Sequence, residues 1–182
     1  DQDRRDRCQG CRYQNPKTRL INHLFPHFVG RGSNNITHLG LDKPMKADTL
    51  VIGYGNADRK DDGFGWHILK DLAERLGHSV PDDPGANIEV ENDLVDLMFI
   101  LQIYPELAET ISHYQRVCFV DAHTSDIPEE ISWIELDPEY EKSPLTHHMS
   151  PRTVLSISGT IYDTIPEAVL VSVRGFLFQF ER

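Results

Sequence analysis

Acidic side chains follow an apolar run in the segment Leu50-Val51-Ile52-Gly53-Tyr54-Gly55-Asn56-Ala57-Asp58-Arg59-Lys60-Asp61-Asp62-Gly63-Phe64-Gly65. A run of this kind, ending in a Gly-x-Gly-Asn turn and leading into a helix, places its loop at the carboxyl end of a strand. Open α/β sheets build their sites there. Phosphate-binding loops share the layout but offer the helix N-terminus to an anion. Asp58, Asp61 and Asp62 already supply negative charge, so this loop suits a cation or carboxylate chemistry. A second apolar run, Val117-Cys118-Phe119-Val120, ends in Asp121-Ala122-His123. A third group, Leu145-Thr146-His147-His148-Met149-Ser150-Pro151, precedes a helix-like stretch. Two carboxylates and an imidazole gathered at one sheet edge suit a first-row divalent metal such as nickel or zinc. Each piece has a plainer reading beside it. Asp61 suits a cap favouring the helix dipole, Asp121 a side chain tied to loop amides, and either histidine a cap or a solvent-facing residue.

The elements that must position these groups are read from periodicity. Thr49 to Tyr54, Val117 to Asp121 and Ala168 to Val173 are apolar without alternation, as expected of buried parallel strands. Asp62 to Leu76 has helical spacing through Phe64, Ile68, Leu69, Leu72 and Leu76, and ends at Gly77. His78 to Asn87 reads as a loop, and Ile88 to Glu91 as a short strand. Asn92 to Gln102 fits both a helical turn and a strand. Pro105 to His113 and Ser150 to Tyr162 read as helices with proline in the first turn. Ile131 to Leu136 alternates, as an edge strand does. The expectation is an α/β fold: a twisted, mainly parallel sheet of about five strands with helices on both faces.

Charge and cysteine usage bound the classes. Asp1 to Ala47 holds nine Lys and Arg against four Asp, so the rest of the chain carries more than the whole net charge of −11. Such asymmetry marks residues 1–46 as a flexible or small N-terminal extension and residues 47–182 as the main α/β domain. An acidic main domain argues against a nucleic-acid surface. No apolar run approaches the roughly 20 residues needed to span a bilayer. Three separated cysteines make no disulfide framework, so a cytoplasmic location is expected. Within the extension, Cys8, Cys11, His23 and His27 approach a Cys2His2 zinc spacing. Its inter-pair gap is one residue short of the common finger, and a flexible arm is the plainer reading.

The ordered set Gly53-x-Gly55-Asn56, Asp61-Asp62-Gly63-x-Gly65, Phe119-Val120-Asp121-Ala122 and Thr146-His147-His148-Met149-Ser150-Pro151 resembles the hydrogenase maturation endopeptidases. These remove the C-terminal extension of the [NiFe]-hydrogenase large subunit. The resemblance spans roughly Thr49 to Arg174. It implies that Asp62, Asp121 and His147 are the catalytic and metal-binding residues. The metal it implies is the nickel already held by the large-subunit precursor, which is the expected partner. The helix pattern through Met149, Val154 and Leu155 selects His147 over His148. Three features depart from the family. Leu101 to Leu107 resembles a branch using Gln-Leu-x-Pro-Glu in place of an Asp-Gly-Gly-Thr loop. Asn92 to Ile100 is longer than expected. The chain also stops soon after its last strand, so a truncated C-terminal end and an undercovered sheet face are expected.

The implied reaction is hydrolysis of one peptide bond in a folded, nickel-loaded precursor. No Ser-His-Asp or Cys-His nucleophile set stands out, and Cys118 lies within an apolar run expected to be core. A non-catalytic nickel-dependent binding protein or chaperone for the precursor is the rival of another class. A nucleotide-binding α/β protein is a third. It rests on Gly53-x-Gly55 alone, with acid where phosphate would sit.

Overall fold

The computed structural model of the chain describes residues 47–84, 86–140 and 149–179. The N-terminal Cys8/Cys11/His23/His27 pattern and both candidate histidines, His147 and His148, lie outside the described residues. Six strands form one sheet: β1 (Thr49–Tyr54), β2 (Glu89–Val90), β3 (Asp96–Ile100), β4 (Arg116–His123), β5 (Ile131–Glu135) and β6 (Glu167–Arg174). Their spatial order is β2-β3-β1-β4-β6-β5. The four inner strands are parallel, and β2 and β5 close the two edges antiparallel. The sheet thus has one strand more than the five expected. The extra strand comes from the ambiguous stretch, where Asp96–Ile100 is a strand beside β1.

Three α-helices cover the sheet: α1 (Phe64–Arg75), α2 (Leu107–Ile111) and α3 (Pro151–Tyr162). On one face Leu50, Ile52, Val117 and Phe119 meet Leu107 and Ile111 of α2 and Val154 and Leu155 of α3. Phe119, Leu107, Ile111, Val154 and Leu155 are fully buried. Removing a side chain the size of Phe119 from such a site costs about 3–5 kcal/mol. Helix α3 starts as its sequence predicts. Ser150 Oγ accepts the Thr153 amide at 3.3 Å, and Pro151 takes the first helical position, where its missing N–H leaves nothing unsatisfied.

Helix α1 covers the opposite face across β3, β1 and β4. It begins two residues later than expected, because Lys60–Gly63 forms a 3₁₀ turn first. The helix then runs very close to β1. A Cβ on Gly65 would stand 2.9 Å from the Tyr54 carbonyl oxygen and 3.1 Å from that of Val120. Only a residue without a side chain lets the helix start against the strand ends. Toward β5 this face is more open, with Ile131 and Trp133 exposed.

Gly65→Ala should therefore destabilise the fold by about 1–3 kcal/mol, the range for forced overpacking, despite alanine's better helix propensity. Urea unfolding measures it; an unchanged midpoint would show that α1 can move off the strand freely.

Candidate active site at the carboxyl edge of the sheet

The loop after β1 is built around one carboxylate. Asp62 Oδ2 accepts the Asn56 backbone N–H at 3.1 Å and faces the Arg59 guanidinium at 3.4 Å. Asn56 Oδ1 in turn accepts the Asp58 N–H at 2.9 Å, and the Arg59 N–H closes on the Asn56 carbonyl at 3.0 Å. These bonds fold the chain back so that Asp62 lies against Gly55. Gly55 has φ +128°, and a Cβ there would sit 2.2 Å from the Asp62 carbonyl oxygen. The glycine is thus required both by conformation and by space.

Asp121 comes from the neighbouring strand. In register Gly53 pairs with Val120, so Tyr54 and Asp121, one residue on, share the other face of the sheet. The Tyr54 hydroxyl hydrogen-bonds the Asp121 carboxylate, and Asp121 Oδ1 accepts the Ala122 N–H at 2.7 Å. Burial nevertheless pushes the Asp121 carboxyl up to about 6, and the charge of Asp62 adds to the rise. The two hydrogen bonds and His123 pull the other way. Burial and the adjacent Asp121 charge drive the Tyr54 phenol far above its usual range, so Tyr54 is a permanent donor. Asp62, from the turn after β1, and Asp121, from β4, thus sit close enough for their charges to interact.

Two residues beyond Asp121, His123 is buried. Its Nε2 donates to the Glu129 carbonyl at 3.0 Å, and Nδ1 lies 2.8 Å from Ser172 Oγ. It anchors the loop after β4 to β6. Arg174 reinforces this, donating to the Ile127 and Pro128 carbonyls.

Asp61 does not act as a helix cap. Its Oδ2 accepts the Phe176 and Leu177 amides at 2.7 and 2.8 Å, while its own N–H donates to the Leu177 carbonyl at 3.0 Å. Arg59 Nε and Nη2 both reach the Phe178 carbonyl, at 3.3 and 3.1 Å. The segment after β6 is thereby strapped beside the Asp62 loop. Asp58 is exposed at the loop surface. Cys118 is buried, and desolvation raises its thiol to about 12, so it is a core residue rather than a nucleophile.

Of the sequence-predicted residues, the structure brings together Asp62 and Asp121, while His147 is outside the described part. Among the described residues no three His, Cys, Asp or Glu side chains gather as a metal-holding group. Sequence reasoning missed Tyr54, Arg59 and His123. Tyr54 was legible in principle, being the polar-tipped end of an apolar run and on the face that Asp121 must share. Arg59 carried no comparable signal beyond its i,i+3 spacing to Asp62, because its other partner, Phe178, is 119 positions away.

The fold has counterparts among solved structures. The hydrogenase maturating endopeptidase HybD of Escherichia coli superposes with a TM-score of 0.50 over 73% of this chain and 77% of its own, at 20% identity. The chain has the fold of a hydrogenase maturation endopeptidase. The [NiFe] hydrogenase maturation protease HycI of Thermococcus kodakarensis also matches, at 25% identity, TM-score 0.47, over 75% of this chain and 80% of its own. No protein-family model and no curated protein sequence matches the chain.

The raised Asp121 carboxyl makes a signed prediction. In the unfolded chain this group ionises near 3.8; in the fold it does so near 6. Its ionisation therefore opposes folding: the stability it allows is intact below about pH 4 and is lost as pH rises through 6. Asp121→Asn should match the parent near pH 3.5 and gain on the order of 2 kcal/mol by pH 7.5. Denaturant midpoints across that range test it, and a gain independent of pH would contradict the burial argument.

Proposed function

We propose that the chain is an endopeptidase that removes the C-terminal extension of a nickel-loaded [NiFe]-hydrogenase large-subunit precursor. The observation that carries this reading is the convergence of Asp62 and Asp121 at the carboxyl edge of a sheet with the HybD fold. A carboxylate from the turn after β1 and one from the neighbouring parallel strand β4, with no basic side chain among the described residues balancing both, form an acceptor for a cation. The nickel belongs to the precursor and is substrate. Asp62, Asp121 and His147 are the three donors assigned to it. This donor set, two oxygens and one imidazole nitrogen, suits a first-row divalent ion.

The roles of the chain's own groups follow from their partners. Asn56 and Arg59 engage Oδ2 of Asp62 and so fix how that carboxylate is presented. Tyr54 and Ala122 hold Asp121. A carboxylate ionising near 6 is charged at neutral pH yet readily takes up a proton. That suits a group that meets a cation or a water beside the scissile bond. Cys118 supplies no nucleophile, because its thiol stays protonated. Nickel then acts as a recognition anchor, a polariser of the scissile carbonyl, or both. The chain works in the cytoplasm in this reading, with the precursor as its partner.

Asp62→Ala and Asp121→Ala should each reduce trimming of nickel-loaded precursor by at least about 100-fold, the scale for losing a group needed in the transition state. His147→Ala should do the same. Circular dichroism should show an intact fold in all three. Cys118→Ala should retain activity within about threefold. Mass spectrometry of the precursor reads the result. Full trimming by Asp121→Ala would defeat the proposal. Nickel-dependent precursor binding by the wild-type chain without any mass loss would favour a chaperone instead.

A further inference from the structure

We infer that a cavity beside the acid loop is a side-chain subsite for the precursor's tail, taking one uncharged apolar residue next to the scissile bond. The inference rests on the endopeptidase reading above. The cavity measures about 290 Å³, which is ample for a leucine- or phenylalanine-sized side chain. Ala57, Pro84, Ala86, Phe99 and Leu101 supply its apolar walls, and the carboxylate of Asp58 stands among them. That negative charge disfavours an acidic occupant.

Three observations make this a built site rather than a surface dimple. Its far wall is pinned: the buried Trp66 of α1 donates from Nε1 to the Ala86 carbonyl at 3.0 Å, and the Ala86 N–H closes on Asp83 at 2.8 Å. The Phe99 wall is held in the sheet, where Phe99 pairs with Gly53 and its N–H reaches the Ile88 carbonyl at 2.8 Å. The third wall is the acid loop itself. Asn56 lines the cavity, and its backbone N–H binds Asp62 Oδ2. Asn56 thus joins the cavity directly to the Asp62 carboxylate. Phe99 shares the α1 face of the sheet with Gly53, whereas Tyr54 and Asp121 lie on the other face. The tail must cross the Gly55–Asp62 loop, leaving its reacting bond at the carboxylates and a neighbouring side chain in the cavity. Leu101, 63% exposed beside the opening, is an apolar surface that such a residue would cover.

The test is a size swap. Nickel-loaded precursors carry single Ala or Trp replacements at the two residues on each side of the cut. Ala86→Phe, which fills the cavity, should lower kcat/KM on the natural tail at least about tenfold, mainly through KM, the scale for mismatching an apolar pocket. Trimming should recover to within about threefold on one Ala-substituted tail only. Leu101→Ala should improve trimming of the Trp tail at that same position. A labelled tail peptide read by fluorescence anisotropy gives a measure independent of cleavage, and Ala86→Phe should weaken its binding at least tenfold. Normal trimming by Ala86→Phe, or a loss spread evenly over all tails, would overturn the subsite while leaving the protease intact. Cavity-dependent peptide binding by a wild-type chain that cuts nothing would uphold the subsite and retire the protease.

Discussion

Two like charges held at the carboxyl edge of the sheet, one on β4 and one in the turn after β1, set the terms for this structure. Asp62 and Asp121 repel each other, and Asp121 is also stripped of much of its water. Neither carboxylate adds to the core, and the Asp121 site opposes folding at neutral pH. The sheet must supply enough stability elsewhere. It does so through the fully buried layer of Phe119, Leu107, Ile111, Val154 and Leu155 between β4, α2 and α3. A site that costs stability on a scaffold that does not need it is the pattern expected where function, not folding, selects the residues.

Much of the surrounding architecture limits how those charges relax. Gly55 and Gly65 allow the loop and α1 to approach the strand ends. Asn56 and Arg59 engage one oxygen of Asp62, and Tyr54 and Ala122 hold Asp121. Arg59 alone among the described neighbours brings positive charge to Asp62. Its other nitrogens bind the Phe178 carbonyl. The guanidinium thus ties Asp62 to the strap after β6. The strap after β6, fastened also by Asp61, braces the loop from outside, so the loop's geometry depends on residues more than 110 positions away.

Legibility in the sequence followed the range of the forces involved. Strands β1, β4 and β6 announced themselves as unbroken apolar runs, and α3 by Ser150-Pro151 and its helical spacing. The parallel order followed from the alternation of elements. Strand β3 did not announce itself, because Leu94, Val95, Leu97, Met98 and Leu101 fit a helix as well. What decides it is tertiary: Asp96, 4% exposed, accepts the Tyr114 hydroxyl at 2.8 Å and the Asn92 amide at 2.9 Å. A buried acid with two partners reads in sequence as a polar break. Asp61 shows the same limit. A carboxylate in the first turn is ordinarily a cap, and only the folded chain brings Phe176 and Leu177 amides to it. Asp121 was legible because its position depends on a strand end and parallel order, and Asp62 because the loop after the neighbouring strand opens at the same edge.

The same separation of scales bears on selectivity. In the proposed reaction the carboxylate pair is an anchor for a cation as well as a neighbour of the scissile bond. Its carboxylates gain affinity only when a cation arrives, and in the proposed reaction the cation comes with the precursor. Differential affinity is then supplied by the substrate's metal, and binding energy is realised where the bond must be cut. The apolar cavity adds a second, independent contact. On this proposal neither contact suffices alone: a peptide with the right side chain would lack the charge anchor, and a stray metal ion would lack the chain. Recognition by two weak features suits an enzyme that must ignore other polypeptides and cut one finished precursor.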